Sequence, residues 1–129
     1  MFNNKRKHKL IETIIGKETI IEGNIKLPTS LRIDGKVYGK IECDGNVYIG
    51  KSGYTEPAIQ AKNVIVAGKA NGEINATEKV QIHAKGKITG NIRSQGLIIE
   101  DGGVFNGGST IDTPNKKAKE QTKIETDKN

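Results

Sequence analysis

The side chains in this sequence that could do chemistry are few, and their spacing does not bring them together. Cys43 is the single cysteine; it excludes an internal disulfide framework, suits a reducing compartment, and beside an alternating apolar run reads as packing. His83 follows Ile82 at a position that breaks the alternation, so it should point outward, where a lone histidine is usually inert. Five glycine-lysine pairs recur, Gly16-Lys17, Gly35-Lys36, Gly50-Lys51, Gly68-Lys69 and Gly86-Lys87. Stacked about 4.8 Å apart they would line an edge with cations and could read phosphate. Glu18, Asp34, Glu73 and Glu78 intersperse that surface, so it reads as a solvated structural face. No residue is assigned a catalytic, metal-binding or cofactor-binding role.

What positions these residues is a short repeat. Leu31, Ile33, Val37 and Ile41 all fall on odd positions, with Gly35 and Gly39 between them, which is strand periodicity with one buried face. Arg32, Asp34, Lys36 and Lys40 are left in water. The pattern returns at Thr13-Ile14-Ile15, Leu31-Arg32-Ile33, Val47-Tyr48-Ile49, Val64-Ile65-Val66, Val80-Gln81-Ile82 and Leu97-Ile98-Ile99, with starts 18, 16, 17, 16 and 17 residues apart. The second half of each block repeats as Ile21-x-Gly23-x-Ile25, Val37-x-Gly39-x-Ile41, Ala70-x-Gly72-x-Ile74 and Ile88-x-Gly90-x-Ile92, with Phe105-x-Gly107-x-Ser109 as a degraded copy. Block three departs, with Thr55-x-Pro57-x-Ile59 and an extra bend at Gly53-Tyr54 that reads as a bulge from Tyr54 to Pro57 and a candidate lateral contact.

A unit this short cannot close a core alone, so the copies must stack into an all-β solenoid of about six coils over residues 13–111. Composition agrees: 33% apolar residues and no Trp would be thin for a globular core, whereas Val and Ile fill a narrow coil and 16 glycines supply its corners. Residues 1–12 and 112–129 carry no period and read as disordered tails around this single domain. Most of the +6 net charge belongs to the first ten residues, where Lys5, Arg6, Lys7 and Lys9 stand without an acid.

That tail, Met1 and Phe2 followed by four cations, reads as a weak anchor for an anionic membrane surface. Each cation near an anionic leaflet contributes about 1 kcal/mol and burial of Phe2 roughly 1.5–3 kcal/mol, before ordering costs. One copy would bind marginally, and an array of copies firmly. No run approaches a membrane span and the start lacks the apolar core of a secretory signal, so the expected location is the cytoplasm, at the inner face of the membrane.

No apolar-faced helix is available to cap the solenoid, and an uncapped parallel coil offers unpaired N–H and C=O groups and a cut core at each end. End-to-end assembly is the expectation. Phe105, Val104, Leu97 and Ile99 would line one end, and Ile14, Ile15, Ile20 and Ile21 the other.

The run Gly16-Lys17-Glu18-Thr19-Ile20-Ile21-Glu22-Gly23-Asn24-Ile25, followed by Leu31-Arg32-Ile33-Asp34-Gly35-Lys36-Val37-Tyr38-Gly39-Lys40-Ile41, resembles the bactofilin family of bacterial cytoskeletal proteins across residues 13–111. The resemblance implies a right-handed parallel β-helix that polymerises without nucleotide through head-to-head and tail-to-tail contacts. It also implies membrane association through the N-terminal tail and a scaffold role in cell shape, envelope synthesis or polar organisation. A paralogue co-polymer is a further candidate partner, which the sequence alone does not decide. By position, Phe105 matches the apolar residue of a polymerising end and Phe2 the tail anchor.

Two other readings stand beside it. Hexapeptide-repeat acyltransferases are also β-solenoids, and Ile15-Gly16 with Ile21 superficially fits their rhythm. Their coils hold 18 residues with period six, and here glycine follows the apolar residue at two positions rather than one. A nucleic-acid-associated structural role rests on the basic tail, where four phosphate contacts without a stacking aromatic platform would give weak, salt-sensitive binding, so no specific nucleic acid is expected.

Overall fold

The computed structural model describes residues 11–112. The candidate membrane-binding residues Met1, Phe2, Lys5, Arg6, Lys7 and Lys9, and the polar segment after 112, lie outside the described residues. Alternating, β-branched sequence forms thirteen strands: β1 (Ile11–Ile15), β2 (Ile20–Glu22), β3 (Ile25–Leu27), β4 (Ser30–Ile33), β5 (Lys36–Cys43), β6 (Asn46–Ile49), β7 (Tyr54–Ala61), β8 (Asn63–Val66), β9 (Lys69–Ala76), β10 (Lys79–Ile82), β11 (Lys87–Ser94), β12 (Gly96–Ile99) and β13 (Val104–Ile111).

All pairings are parallel and collect into two sheets, β1-β4-β6-β8-β10-β12 and β13-β11-β9-β7-β5-β2, with β3 also on β5. Turns two to six each contribute one short strand to the first sheet and one long strand to the second, while in turn one the long strand is split into β2 and β3 around Gly23 and Asn24. The chain is therefore a parallel β-solenoid of six turns.

Registration stacks like on like. Ile15, Ile33, Ile49, Val66, Ile82 and Ile99 form one inward column, and Thr13, Leu31, Val47, Val64, Val80 and Leu97 its neighbour. In the second sheet Ile25, Ile41, Ile59, Ile74 and Ile92 stack, as do Ile21, Val37, Thr55, Ala70, Ile88 and Phe105. Each internal Ile, Leu or Val of these columns is buried, contributing at most about 1.5–3 kcal/mol.

The uneven period is taken up entirely at the corners. Between the short and long strands, turns one, three, five and six use four residues (16–19, 50–53, 83–86, 100–103), and turns two and four use two (34–35, 67–68). Each four-residue corner closes with the same backbone bond, from Thr19, Gly53, Gly86 and Gly103 to Gly16, Gly50, His83 and Glu100, at 2.8–3.0 Å. The expected bulge at Tyr54 to Pro57 is therefore corrected. Gly53 closes an ordinary four-residue corner, and β7 pairs with β5 residue for residue from Tyr54↔Lys36 to Gln60↔Glu42.

What distinguishes turn three is Pro57, which stands opposite Gly39 in a column otherwise made of Gly23, Gly39, Gly72, Gly90 and Gly107. There the long strand bends, and the stacked backbones approach so closely that a Cβ at Gly72 would meet the carbonyl of Pro57, and one at Gly90 the carbonyl of Gly72. Gly72 and Gly90 also have φ of 111° and 134°, which L side chains rarely adopt. The β7–β9 ladder is interrupted at Glu56 and Pro57, so the proline, which has no N–H to donate, stands where that ladder makes no pair.

Candidate functional site

Among the described residues the inward columns stop at both ends of the solenoid. At the C-terminal end β12 and β13 are edge strands, and at the N-terminal end β1, β2 and β3 are. Ile99 sits over Ile82, Leu97 over Val80, Phe105 over Ile88 and Ile111 over Ser94. Leu97 and Phe105 are half-buried, whereas Ile99 and Ile111 are exposed. At the other end Ile15 is buried, and Ile21, Ile25 and Leu27 pack half-buried against the core. Among the described residues both ends thus combine apolar column tops with unpaired strand edges, which are open to strand addition.

Three of the residues expected in the cut core face the other way. Ile14 belongs to the outward column Ile14, Arg32, Tyr48, Ile65, Gln81, Ile98. Ile20 and Val104 are the two ends of the outward column Ile20, Lys36, Tyr54, Lys69, Lys87, Val104. Ile14 is 62% and Ile20 60% exposed, and Ile98 and Val104 are exposed too. Both columns are mostly polar in their middle turns and aliphatic in their first and last, so a partial apolar collar, Ile14 and Ile20 at one end and Ile98 and Val104 at the other, flanks each cut core. Ile25, Leu27, Ile98 and Ile111 complete the two ends and are not singled out by sequence reasoning. The register of Ile25 with Ile41 was available as a signal for the first of them.

The chemistry-bearing residues are dispersed. Cys43 is buried, its Sγ donating to the Thr29 carbonyl at 2.8 Å, and burial pushes its thiol up from the ordinary range, as packing requires of a structural cysteine. His83 is half-buried on the outer face of the first sheet, with Nε2 3.8 Å from a Glu100 oxygen and its ring edge-on to Tyr48 at 6.4 Å. Arg32 lies over the Tyr48 ring at 4.8 Å while Nε holds Asp34 at 2.9 Å. Among the described residues no group of three or more His, Cys, Asp and Glu converges on a point. The described residues contain no helix long and apolar enough to cross a membrane.

Comparison with known proteins places this geometry. A family model described as bactofilin, polymer-forming cytoskeletal, matches residues 13–110. Bactofilin BacO of Myxococcus xanthus is 33% identical over 108 residues, spanning 84% of this chain and 86% of its own. Bactofilin BacP of the same organism is 34% identical over 95 residues, 74% of this chain but 40% of BacP. The Thermus thermophilus bactofilin in a cryo-EM reconstruction of double helical filaments superposes with a TM-score of 0.71 at 30% identity, covering 78% of this chain and all of that one.

Proposed function

The chain belongs to the bactofilin family of polymer-forming cytoskeletal proteins, and from that membership we propose that its filament grows through the two solenoid ends, without nucleotide, as a membrane-bound scaffold. The observation that carries the reading is the partial aliphatic collar flanking each cut core. It supports an end contact made from buried apolar area and new ladder hydrogen bonds, neither of which consumes a nucleotide. Two like ends can meet about a two-fold axis because each presents the same cut apolar core to its copy, which gives head-to-head and tail-to-tail contacts and a non-polar filament.

A paralogue presenting similar column tops would add to the same ends, so copolymerisation follows from the same surface. Attachment to the inner face of the membrane is assigned to the N-terminal tail, with Phe2 inserted and Lys5, Arg6, Lys7 and Lys9 at the headgroups, each copy weak and the polymer firm.

Negative-stain microscopy of the purified protein with and without nucleotide tests the polymerisation reading, the expected result being filaments in both. Filaments that need nucleotide, or a monomer at high concentration, would overturn it. Phe105→Arg should give short soluble species, since it places a charge in the end contact. Deleting residues 1–10 should release the protein from anionic liposomes, and unchanged co-sedimentation would remove the membrane assignment.

A further inference from the structure

One flank of the solenoid holds cations against local preference. Lys36, Tyr54, Lys69 and Lys87 follow one another in an outward column, so Lys69 and Lys87 are direct ladder neighbours. Neighbouring strands lie about 4.8 Å apart, and like charges placed opposite each other destabilise a sheet. Lys85, in the adjoining corner, has φ of 77°, the left-handed conformation that the next corner gives to Gly102 at 91°. Residues kept against such preferences point to function.

These lysines are also unpaired. Arg32, Lys40, Lys62 and Arg93 each contact an acid at 2.8–3.8 Å. Among the described residues, none of Lys36, Lys51, Lys69, Lys85 and Lys87 has an acidic partner within 4.0 Å. Three of the four acids that interrupt this surface in sequence are engaged elsewhere, and the fourth, Glu18 in the first corner, is not within 4.0 Å of a described lysine or arginine. Asp34 is held by Arg32, Glu73 is in register with Ala58 beyond the bend, and Glu78 lies at the opposite corner beside Lys62.

Between the lysines is an open cleft of about 550 Å³ whose lining includes Lys36, Tyr38, Lys51, Ser52, Tyr54 and Lys69. Its floor is fixed. The Tyr54 hydroxyl donates to Glu56, the carboxylate of the lining, and accepts from Asn71 Nδ2 at 2.8 Å, while the Tyr38 ring lies 5.9 Å from that of Tyr54. Ammonium groups on the walls suit phosphoryl oxygens, and the exposed Tyr38 ring suits an organic group beside them.

We infer that this cleft binds a phosphate ester, with the phosphoryl group among Lys36, Lys51 and Lys69, the organic part on Tyr38, and Lys85 and Lys87 strengthening the field. The ester can be a soluble metabolite or the headgroup of an anionic phospholipid, and the two are separable. The full chain is titrated with glycerol 3-phosphate and, separately, with phosphatidylcholine vesicles with and without phosphatidylglycerol. Binding is followed by calorimetry and by tyrosine emission, which the absence of Trp leaves uncluttered.

The expected result is a saturable, salt-sensitive response that weakens about tenfold or more in Lys69→Gln/Lys87→Gln. Lys85→Gly should weaken it as well while keeping or raising the melting temperature, because the charge and the left-handed strain leave together; this separates lost binding from lost folding. Lys26→Gln/Lys79→Gln, which removes two exposed lysines elsewhere on the solenoid, should leave it unchanged.

Response to glycerol 3-phosphate identifies a soluble source. Response to phosphatidylglycerol vesicles alone, kept when Lys5, Arg6, Lys7 and Lys9 are all changed to Gln, identifies a lipid. No response to either probe, a vesicle response that vanishes with the tail charges, or an equal loss in the Lys26/Lys79 control would overturn the site.

Discussion

Ile82 and Ile99 occupy the same inward column one turn apart, yet Ile82 is 0% exposed and Ile99 is 45% exposed. The same side chain in the same register is core in one turn and surface in the next, because nothing among the described residues stacks on β12. The pair therefore separates folding from assembly. Ile82→Lys should abolish the fold, since an unpaired buried ammonium costs several kcal/mol against a marginal total. Ile99→Lys should leave the circular dichroism of a folded solenoid and remove filaments from negative stain. Loss of folding in both would place Ile99 in the core and contradict the end assignment.

The collar makes a second, gentler prediction. Ile14→Ser and Ile20→Ser alter exposed outward positions, where substitutions usually change stability by no more than about 0.5 kcal/mol. If the collar is covered on assembly, each lost isoleucine removes up to about 1.5–3 kcal/mol from the contact, a rise of roughly tenfold or more in critical concentration. Pelleting across a concentration series reads that rise. An unchanged critical concentration would confine the interface to the inward column tops.

Why the collar escapes sequence reasoning is a matter of parity. The rungs were legible because alternation of Val and Ile over Leu31 to Ile41 has only one strand solution, and the turns follow from its repetition. The doublets Ile14-Ile15, Ile20-Ile21 and Ile98-Ile99 carry no such alternation, so type alone cannot say which member faces in. Register against Arg32, Lys36 and Gln81 in the adjoining turns decides it, and the aligned repeats already carried that register. The corners are opaque for a related reason: apart from the small Ala67, the two-residue and four-residue links bury no apolar side chain, so the uneven period was visible but its location was not. Turn three shows the consequence, where Tyr54 read as part of a bulge and is instead the first rung residue beside Lys36.

The glycine column gives a prediction that depends on neighbours rather than on conformation alone. Gly23 and Gly72 both have left-handed-side φ, 141° and 111°. A Cβ at Gly72 would collide with the Pro57 backbone, whereas one at Gly23, on the open first turn, meets nothing within 4 Å. Gly23→Ala should cost only the backbone term, about 1–3 kcal/mol, and Gly72→Ala appreciably more. Denaturant unfolding in the non-polymerising Ile99→Lys background measures the difference, and equal losses would mean that the stacked backbones can part.

Thr55 is the polar member of an inward column, between Val37 and Ala70, and its Oγ1 is fully buried with no hydrogen-bond partner among the described residues. A hydroxyl taken from water into that position is desolvated with no compensating bond, while its methyl group packs as a valine methyl would. Thr55→Val keeps the shape, removes the unsatisfied oxygen and retains the β-branching that suits the strand. Stability should rise by about 1 kcal/mol, read as a higher denaturant midpoint at unchanged slope in the Ile99→Lys background. Because Thr55 lies in turn three, away from both ends, the substitution should leave the critical concentration of the polymerising chain where it was. A destabilised variant would show that the hydroxyl has a partner in solution, and the inward column would then have to admit a bound water at its centre.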